Sequence, residues 1–211
     1  MNQKNLPTIP TVFFPPNTTK EEIRKGMQQF NSSSALILKR GLGEAMNSVF
    51  KIDRSNNKQM ATEIFQIIQK NQFNGAYWIL QPWIAELQHG EMKMYFINGN
   101  FLQGFLMNVK QIGEGVPSNT QEIRNDSEMW TNLDIPSVIK FGEKVYVELV
   151  KKAPSLAVVF RLDVFRNSTG ELVINELEYF GNMWLSLQHT TLAEEKLKQM
   201  ADAIYEHLET F

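Results

Sequence analysis

The pattern of apolar and polar positions in the first part of the chain predicts a proline-containing lead-in followed by helices and strands. Residues 1–16 carry four prolines, which fix their own backbone and bias the preceding residue away from helix. Downstream, apolar side chains recur first at helical spacing and then in short runs bounded by turn residues. The predicted elements are a helix near 18–30, a hairpin of Ala35–Lys39 and Ser48–Ile52, a helix at 59–70 and a strand at Tyr77–Leu80.

The second part of the chain opens with a strong hairpin signal. Asn98 and Gly99 both tolerate positive φ, and they separate two apolar runs. A polar stretch from Lys110 to Pro136 follows, and its length predicts a functional loop or a mobile flap. The predicted elements are strands at Met92–Ile97 and Phe101–Met107, a helix at 137–151, strands at 157–165 and 171–178, and a C-terminal helix.

The pattern of helices and hairpins predicts a fold of mixed helix and strand. The length of the chain suits one large domain or two small lobes that share a cleft.

Composition narrows the class of protein. A chain of 211 residues that is 43% hydrophobic can bury a substantial core. Its formal net charge of -2 shows no basic excess, so no nucleic-acid partner is expected. The absence of cysteine excludes disulfides and thiolate catalysis. No stretch approaches the roughly 20 apolar residues of a membrane span, so we expect a cytoplasmic protein without a membrane partner.

The most informative segment is Arg161-Leu-Asp163 followed, after a turn, by Glu176-Leu-Glu178. Because alternate residues of a strand share a face, a hairpin would bring these two pairs together. Three carboxylates so close favour a cation, and hard oxygen ligands suit magnesium. The alternative is a solvated strand surface on which Arg161 pairs with an acid. The apolar residues around Arg161 and Asp163 favour burial over that alternative.

These residues resemble the closing motif of the ATP-grasp superfamily, whose members include D-alanine:D-alanine ligases, glutathione synthetases and RimK-like peptide ligases. In those families the motif consists of Arg-x-Asp, a hairpin and Glu-x-Asn. The resemblance implies that Asp163, Glu176 and Glu178 hold Mg²⁺ and that Arg161 stabilises the transferring phosphoryl group. Glu178 stands where asparagine is commoner, which adds charge but keeps an oxygen ligand.

The resemblance also implies an α+β fold of two lobes with antiparallel sheets that clasp a nucleotide between them. Residues 1–16 would be an extended lead-in, and residues 17–82 would be the smaller lobe with the glycine-bearing hairpin. Residues 83–211 would be the larger lobe with the metal site and the C-terminal helix.

Other stretches match the family in order along the chain. Ala35–Lys39 is similar to the strand whose lysine contacts the nucleotide phosphates, and the turn after it takes the place of the flexible glycine loop. Tyr77–Ile84 is similar to the hinge that reads adenine, although a buried strand ending at a proline turn would have the same pattern. The cofactor-binding residues implied here are Lys39, Gly41, Gly43, Gln81, Trp83 and Ile84.

The hairpin after the hinge resembles the family hairpin that carries a Gly-Glu or Gly-Asp pair. Glu91 or Glu86 is the implied contact of the ribose hydroxyls. Lys110 lies where these enzymes often place a basic residue that faces the phosphates or the substrate carboxylate, and Lys93 is the alternative for that role. Taken singly, either lysine is expected to be a solvated surface charge, because lysine is mostly exposed.

The resemblance implies an ATP- and Mg²⁺-dependent ligase that joins a carboxylate to an amine through an acyl phosphate. The substrates would be small molecules or peptides. Typical members have a further N-terminal domain that helps to bind the acid substrate, and it is not recognisable here. We expect that a protein partner supplies that surface, that the substrate is large and binds differently, or that the chain is a fragment. One alternative is a nucleotide-binding regulatory or interaction module with the same fold and no ligase activity. Another is a nucleotidyltransferase that adenylates Lys39, although Lys39-Arg-Gly lacks the expected Lys-x-Asp-Gly pattern.

Overall fold

A computed structural model of the protein describes residues 6–41, 49–53, 56–71, 77–107, 120–122, 135–154, 158–178 and 193–208. These residues fall into two compact units. The smaller unit contains the described residues of Ile9–Ala85, and the larger unit contains those of Glu86–Lys110 and Ser118–Phe211 together with residues 6–8. None of the helices in the described ranges is both long and apolar enough to cross a bilayer.

The smaller unit is a four-stranded antiparallel sheet with two helices. The strands lie in the order β1-β4-β2-β3, so the hairpin β2–β3 is extended by β4 and then by the first strand of the chain. The elements are β1 (Val12–Phe14), α1 (Lys20–Met27), a 3-10 turn (Gln28–Phe30), β2 (Ala35–Arg40), β3 (Val49–Asp53), α2 (Asn57–Lys70) and β4 (Trp78–Pro82).

The helices of the smaller unit cover one face of its sheet. Leu36 and Leu38 of β2 lie on this face and are buried with Trp78 and Leu80 of β4 against Ile64 of α2. Strand alternation therefore places the odd-numbered residues of β2 and β4 on the face away from the helices. Lys39 and Gln81, two of the predicted nucleotide contacts of this unit, lie at odd-numbered positions on that second face.

The N-terminus of α1 is fixed by a capping box. The Thr19 hydroxyl accepts a hydrogen bond from the Glu22 backbone N–H at 3.2 Å, and the Glu22 carboxylate accepts one from the Thr19 N–H at 2.7 Å. This reciprocal pair satisfies two donors that a helix end would otherwise leave open. The predicted helix near 18–30 is thus confirmed as α1 and its 3-10 extension.

The predicted lead-in at 1–16 contributes more to the fold than an extended connection. Its residues Val12–Phe14 form β1, which pairs with Trp78–Pro82. Residues 6–8 belong to the larger unit, where the Pro7 carbonyl accepts a hydrogen bond from the Ile174 N–H at 2.8 Å. The division into 1–16, 17–82 and 83–211 stays a prediction. Along the chain, one boundary between the compact units falls between Ala85 and Glu86.

The larger unit is built on a five-stranded antiparallel sheet in the order β7-β6-β5-β8-β9. The turn of its first hairpin has positive φ at Asn98 (48°) and Gly99 (80°), as the sequence predicted. The elements are a 3-10 turn (Ala85–His89), β5 (Glu91–Ile97), β6 (Asn100–Met107), β7 (Thr120–Glu122), α3 (Ile135–Lys152), β8 (Val159–Arg166), β9 (Leu172–Glu178) and α4 (Ala193–Leu208).

The two faces of the larger sheet have different surroundings. Even-numbered residues of β5 and β8, such as Phe96 and Phe160, pack with Val145 of α3 in one apolar cluster. On the opposite face, Tyr95 and Val159 pack with Met200 of α4. Charged residues of the candidate site occupy other odd-numbered positions of β5 and β8 on this second face.

We predict that Gly142→Ala in α3 destabilises the larger unit. An added Cβ would lie 2.0 Å from Phe96 Cζ, and the Phe96 ring is fully buried and stacked on Phe160 at 5.0 Å between centroids. Overpacking costs about 1–3 kcal/mol, which offsets and exceeds the roughly 1 kcal/mol that alanine adds in helix propensity. Urea unfolding would measure the change. The control is Lys144→Ala on an exposed position of the same helix, where only the propensity gain is expected.

Candidate metal and nucleotide site

The register of β8 against β9 brings together the acids that the sequence singled out. Asp163 lies directly opposite Glu176, and Arg161 lies directly opposite Glu178. On the other side of β8, Lys93 of β5 lies opposite Asp163. The side chains of these five residues therefore project from the same face of three neighbouring strands.

A β-bulge in β9 adds a sixth polar side chain. The register shifts after Asp163, so that Asp163 pairs with Glu176 but Val164 pairs with Ile174, and Asn175 has no partner in the ladder. The extra residue lets Ile174 join the apolar cluster under α3 while Asn175 turns to the charged face and donates its amide to Glu91. Asn175 was not among the site residues predicted from the sequence. The signal was the adjacent polar pair Asn175-Glu176, which breaks the alternation of the strand.

Asp163 is the centre of the ionic cluster formed by Glu91, Lys93, Arg161, Asp163, Glu176 and Glu178. It is fully buried, and Arg161 binds both of its oxygens, with Nε 2.7 Å from Oδ1 and Nη2 2.8 Å from Oδ2. Lys93 donates to the same carboxylate. Arg161 also reaches Glu178 at 2.9 Å, and Lys93 reaches Glu91 at 3.2 Å. Arg161 thus links Asp163 to Glu178, and Lys93 links it to Glu91.

The acids of the ionic cluster differ in their electrostatics. Burial acts to raise the pKa of Asp163, but the ammonium of Lys93 and the guanidinium of Arg161 outweigh it and hold that pKa below its usual value. For Glu91, burial and the nearby acids prevail over Lys93, so its pKa is raised. Burial likewise raises the pKa of Glu178 against the effect of Arg161. The Asp163 carboxylate is therefore more firmly ionised than the carboxyl groups of Glu91 and Glu178.

The residues present fit a divalent cation. One carboxylate oxygen from each of Asp163, Glu176 and Glu178 lies within 4.8 Å of the other two. Opposite ligands of an octahedral Mg²⁺ are about 4.2 Å apart, so a small side-chain movement would close the set. The second oxygen of Glu178 is buried and accepts no hydrogen bond from the described residues. With four acids and two bases, the ionic cluster has a formal charge of -2, which one divalent ion would balance.

The expectation that Lys93 is a solvated surface charge is wrong, because only 8% of the residue is exposed. The pKa of its ammonium is raised, because the effects of Glu91 and Asp163 exceed that of burial. Glu91, a predicted ribose contact, is also buried and binds Lys93 and Asn175. Glu86, the other ribose candidate, is half-buried in the 3-10 turn.

Two of the predicted nucleotide contacts in the smaller unit share the sheet face away from its helices. Lys39 pairs with Ile79, and Gln81 pairs with Ile37, so both side chains belong to the odd-numbered set. Lys39 is half-buried, whereas Gln81 is buried and donates to the Thr11 hydroxyl at 2.9 Å. Their roles toward a nucleotide stay predictions.

Three other predicted contacts of this unit, Gly41, Trp83 and Ile84, lie just after the ends of β2 and β4. The Gly41 N–H donates to the Tyr77 carbonyl at 2.7 Å, and a Cβ at Gly41 would lie 3.1 Å from that carbonyl oxygen. Trp83 is half-buried, and Lys51 Nζ lies 4.9 Å from the centre of its ring. Ile84 is also half-buried. Gly43, Lys110 and most of the predicted loop between Lys110 and Pro136 lie outside the described residues.

Two α+β units built on antiparallel sheets, one of which carries Arg-x-Asp and Glu-x-Glu on paired strands, agree with the ATP-grasp fold that the family resemblance implies. Comparison with solved structures confirms it. The chain is similar to D-cycloserine synthetase DcsG, with 19% identity and a TM-score of 0.68 over 96% of this chain and 66% of that one. It is also similar to D-alanyl-alanine synthetase A from Vibrio cholerae O1 biovar eltor str. N16961, with 16% identity and a TM-score of 0.59 over 95% and 61%.

A third similar structure is the ATP-grasp ligase PsnB in complex with the precursor peptide PsnA2 and AMPPNP, with 13% identity and a TM-score of 0.52 over 93% of this chain and 55% of that one. This chain therefore spans between 55% and 66% of the length of the three structures. No family model and no curated protein sequence matches it. At these identities the likeness establishes the fold alone.

We predict that Asp163→Ala lowers the free energy of unfolding by about 3–5 kcal/mol, because it removes the carboxylate that Arg161 and Lys93 share in a buried setting. The control is Glu143→Ala, which removes an exposed acid of α3 and should change stability by no more than about 0.5 kcal/mol. Urea unfolding of both variants would measure the difference. Equal losses would contradict the central position of Asp163.

Proposed function

We propose that this protein is an ATP-dependent carboxylate–amine ligase that works through an acyl phosphate and requires Mg²⁺. The observation that carries the proposal is the ionic cluster, in which an Arg-x-Asp pair and a Glu-x-Glu pair face each other within an ATP-grasp fold. The similar structures support the choice of class, because one of them is an ATP-grasp ligase bound to AMPPNP and two others are synthetases.

In this proposal Asp163, Glu176 and Glu178 hold the metal. Mg²⁺ would neutralise part of the triphosphate charge. The surplus of two negative charges in the ionic cluster would attract this cation to the site. Arg161 contributes a guanidinium that stays charged, because Asp163 and Glu178 prevail over burial and raise its pKa further. Such a fixed cation beside the metal acids is suited to stabilising negative charge that develops during phosphoryl transfer.

The proposed reaction needs no nucleophile from the protein, because both nucleophiles are substrate groups. A carboxylate oxygen of the first substrate would attack the γ-phosphorus of ATP, which forms a C–O–P bond and releases ADP as the bond to the β–γ bridging oxygen breaks. The amine of the second substrate would then attack the acyl carbon, so that a C–N bond forms, phosphate leaves and the amine loses a proton. Catalysis of this kind rests on positioning and electrostatics. Lys39, Gly41 and Gln81 are the proposed nucleotide contacts of the smaller unit.

We expect Glu176→Gln to abolish the Mg²⁺-dependent response to ATP without unfolding the protein. The substitution removes one proposed metal ligand that is half-buried, and it keeps the size and hydrogen-bonding ability of the side chain. Thermal unfolding with Mg²⁺ and ATP should show a raised melting temperature for the unchanged protein, because a ligand at 100 times its Kd stabilises by about 2.7 kcal/mol. The variant should show no such rise.

The matched control is Glu143→Gln, an exposed acid of α3, which should respond as the unchanged protein does. ADP release with panels of candidate acids and amines then separates a ligase from a nucleotide-binding module of the same fold. A magnesium-dependent thermal response without ADP release under any pair of substrates would favour the module. An undiminished response in Glu176→Gln would refute the assignment of the metal ligands.

A further inference from the structure

We propose that Lys93 is a positioning residue of the metal site, whose ammonium holds the Asp163 carboxylate in place from the neighbouring strand. This inference rests on the proposed function, because it takes Asp163 to be a metal ligand. It assigns Lys93 a role different from the contact with phosphate or substrate that the family resemblance implied.

The contacts of Lys93 are directed toward protein carboxylates. It lies opposite Asp163 across the β5–β8 ladder and donates to the Asp163 oxygen that Arg161 also binds. A second contact, to Glu91 at 3.2 Å, fixes the ammonium from its other side. Because only about a tenth of the Lys93 side chain is exposed, these contacts have little competition from water.

Glu91 is in turn anchored by the β-bulge. Asn175 donates its side-chain amide to the Glu91 oxygen that Lys93 does not bind. The bulge gives Asn175 this orientation, and the hydrogen bond from Ile174 to Pro7 holds the same part of β9. A continuous set of contacts therefore runs from Asn175 through Glu91 and Lys93 to Asp163. Partners of this kind orient metal ligands without touching the metal.

The charge of Lys93 and its positioning role predict opposite effects of its removal on cation binding. Removing its positive charge would make the ionic cluster more negative, which should strengthen the binding of a cation. Loss of a positioning residue should weaken binding, because the carboxylate is no longer held in one orientation. A variant that keeps the net charge of the cluster separates the two effects.

The variant for this test is the double substitution E91Q/K93M. It removes one negative and one positive charge, so the formal charge of the ionic cluster stays at -2, and it leaves no buried charge without a partner. The probe is Mn²⁺ without nucleotide, followed by the electron paramagnetic resonance of the free ion, so that any contact of Glu91 with ribose does not enter. We expect the dissociation constant for Mn²⁺ to rise roughly 10- to 100-fold.

Two further variants complete the experiment. Asn175→Ala removes the anchor of Glu91 and changes no charge, so it should weaken Mn²⁺ binding in the same direction. Lys144→Met removes an exposed lysine of α3 and should leave binding unchanged. Circular dichroism and the melting temperature establish that each protein is folded.

The outcomes distinguish this inference from the proposed function. If the unchanged protein binds no Mn²⁺ at millimolar concentration, the metal site itself is refuted, and the role of Lys93 with it. If the unchanged protein binds Mn²⁺ and the folded E91Q/K93M and Asn175→Ala proteins bind it equally well or more tightly, Lys93 does not position Asp163, although the metal site stands.

Discussion

The larger unit depends on the burial of Asp163 between two cations. Removing charged groups from water costs several kcal/mol for each ion, and only close, well-oriented partners repay it. Arg161 meets this demand with two hydrogen bonds to one carboxylate, and Lys93 adds a contact from the next strand. The opposite face of the same strands is an apolar core under α3, which holds the backbone rigid beneath these contacts.

The register of β9 against β8 brings the alternating charged residues of the two strands into one site. A shift of one residue between β8 and β9 would send Glu176 and Glu178 into the apolar core and turn Ile174 and Leu177 toward the charges. The bulge at Asn175 is compatible with the sequence because it absorbs the one place where alternation fails. Residues 6–8 then lie along β9 at this point, so the start of the chain stabilises an edge that is remote from it in sequence.

Much of the fold was predictable, because its elements have strong local signals. Asn98-Gly99 predicted the hairpin of the larger sheet. The helical spacing of apolar residues predicted α2 and α3 to within two residues at either end. The proximity of Asp163 to Glu176 followed from strand alternation. The burial of Lys93 did not, because it depends on pairing with a strand some 70 residues away, and a lysine is ordinarily exposed. The strand at Val12–Phe14 was hidden by the prolines around it.

The charge imbalance of the ionic cluster is the strongest reason to assign it a function. A site selected for stability would match its acids and bases or replace them with apolar side chains, which are often as stable or more so. This one keeps four acids against two bases, raises the pKa of Glu178 and leaves one of its buried oxygens without a hydrogen bond from the described residues. Such arrangements reduce stability until a cation is bound. Under the proposed function the nucleotide would bring a divalent cation with it, so the charge surplus that lowers stability would also favour the binding of Mg²⁺ with ATP.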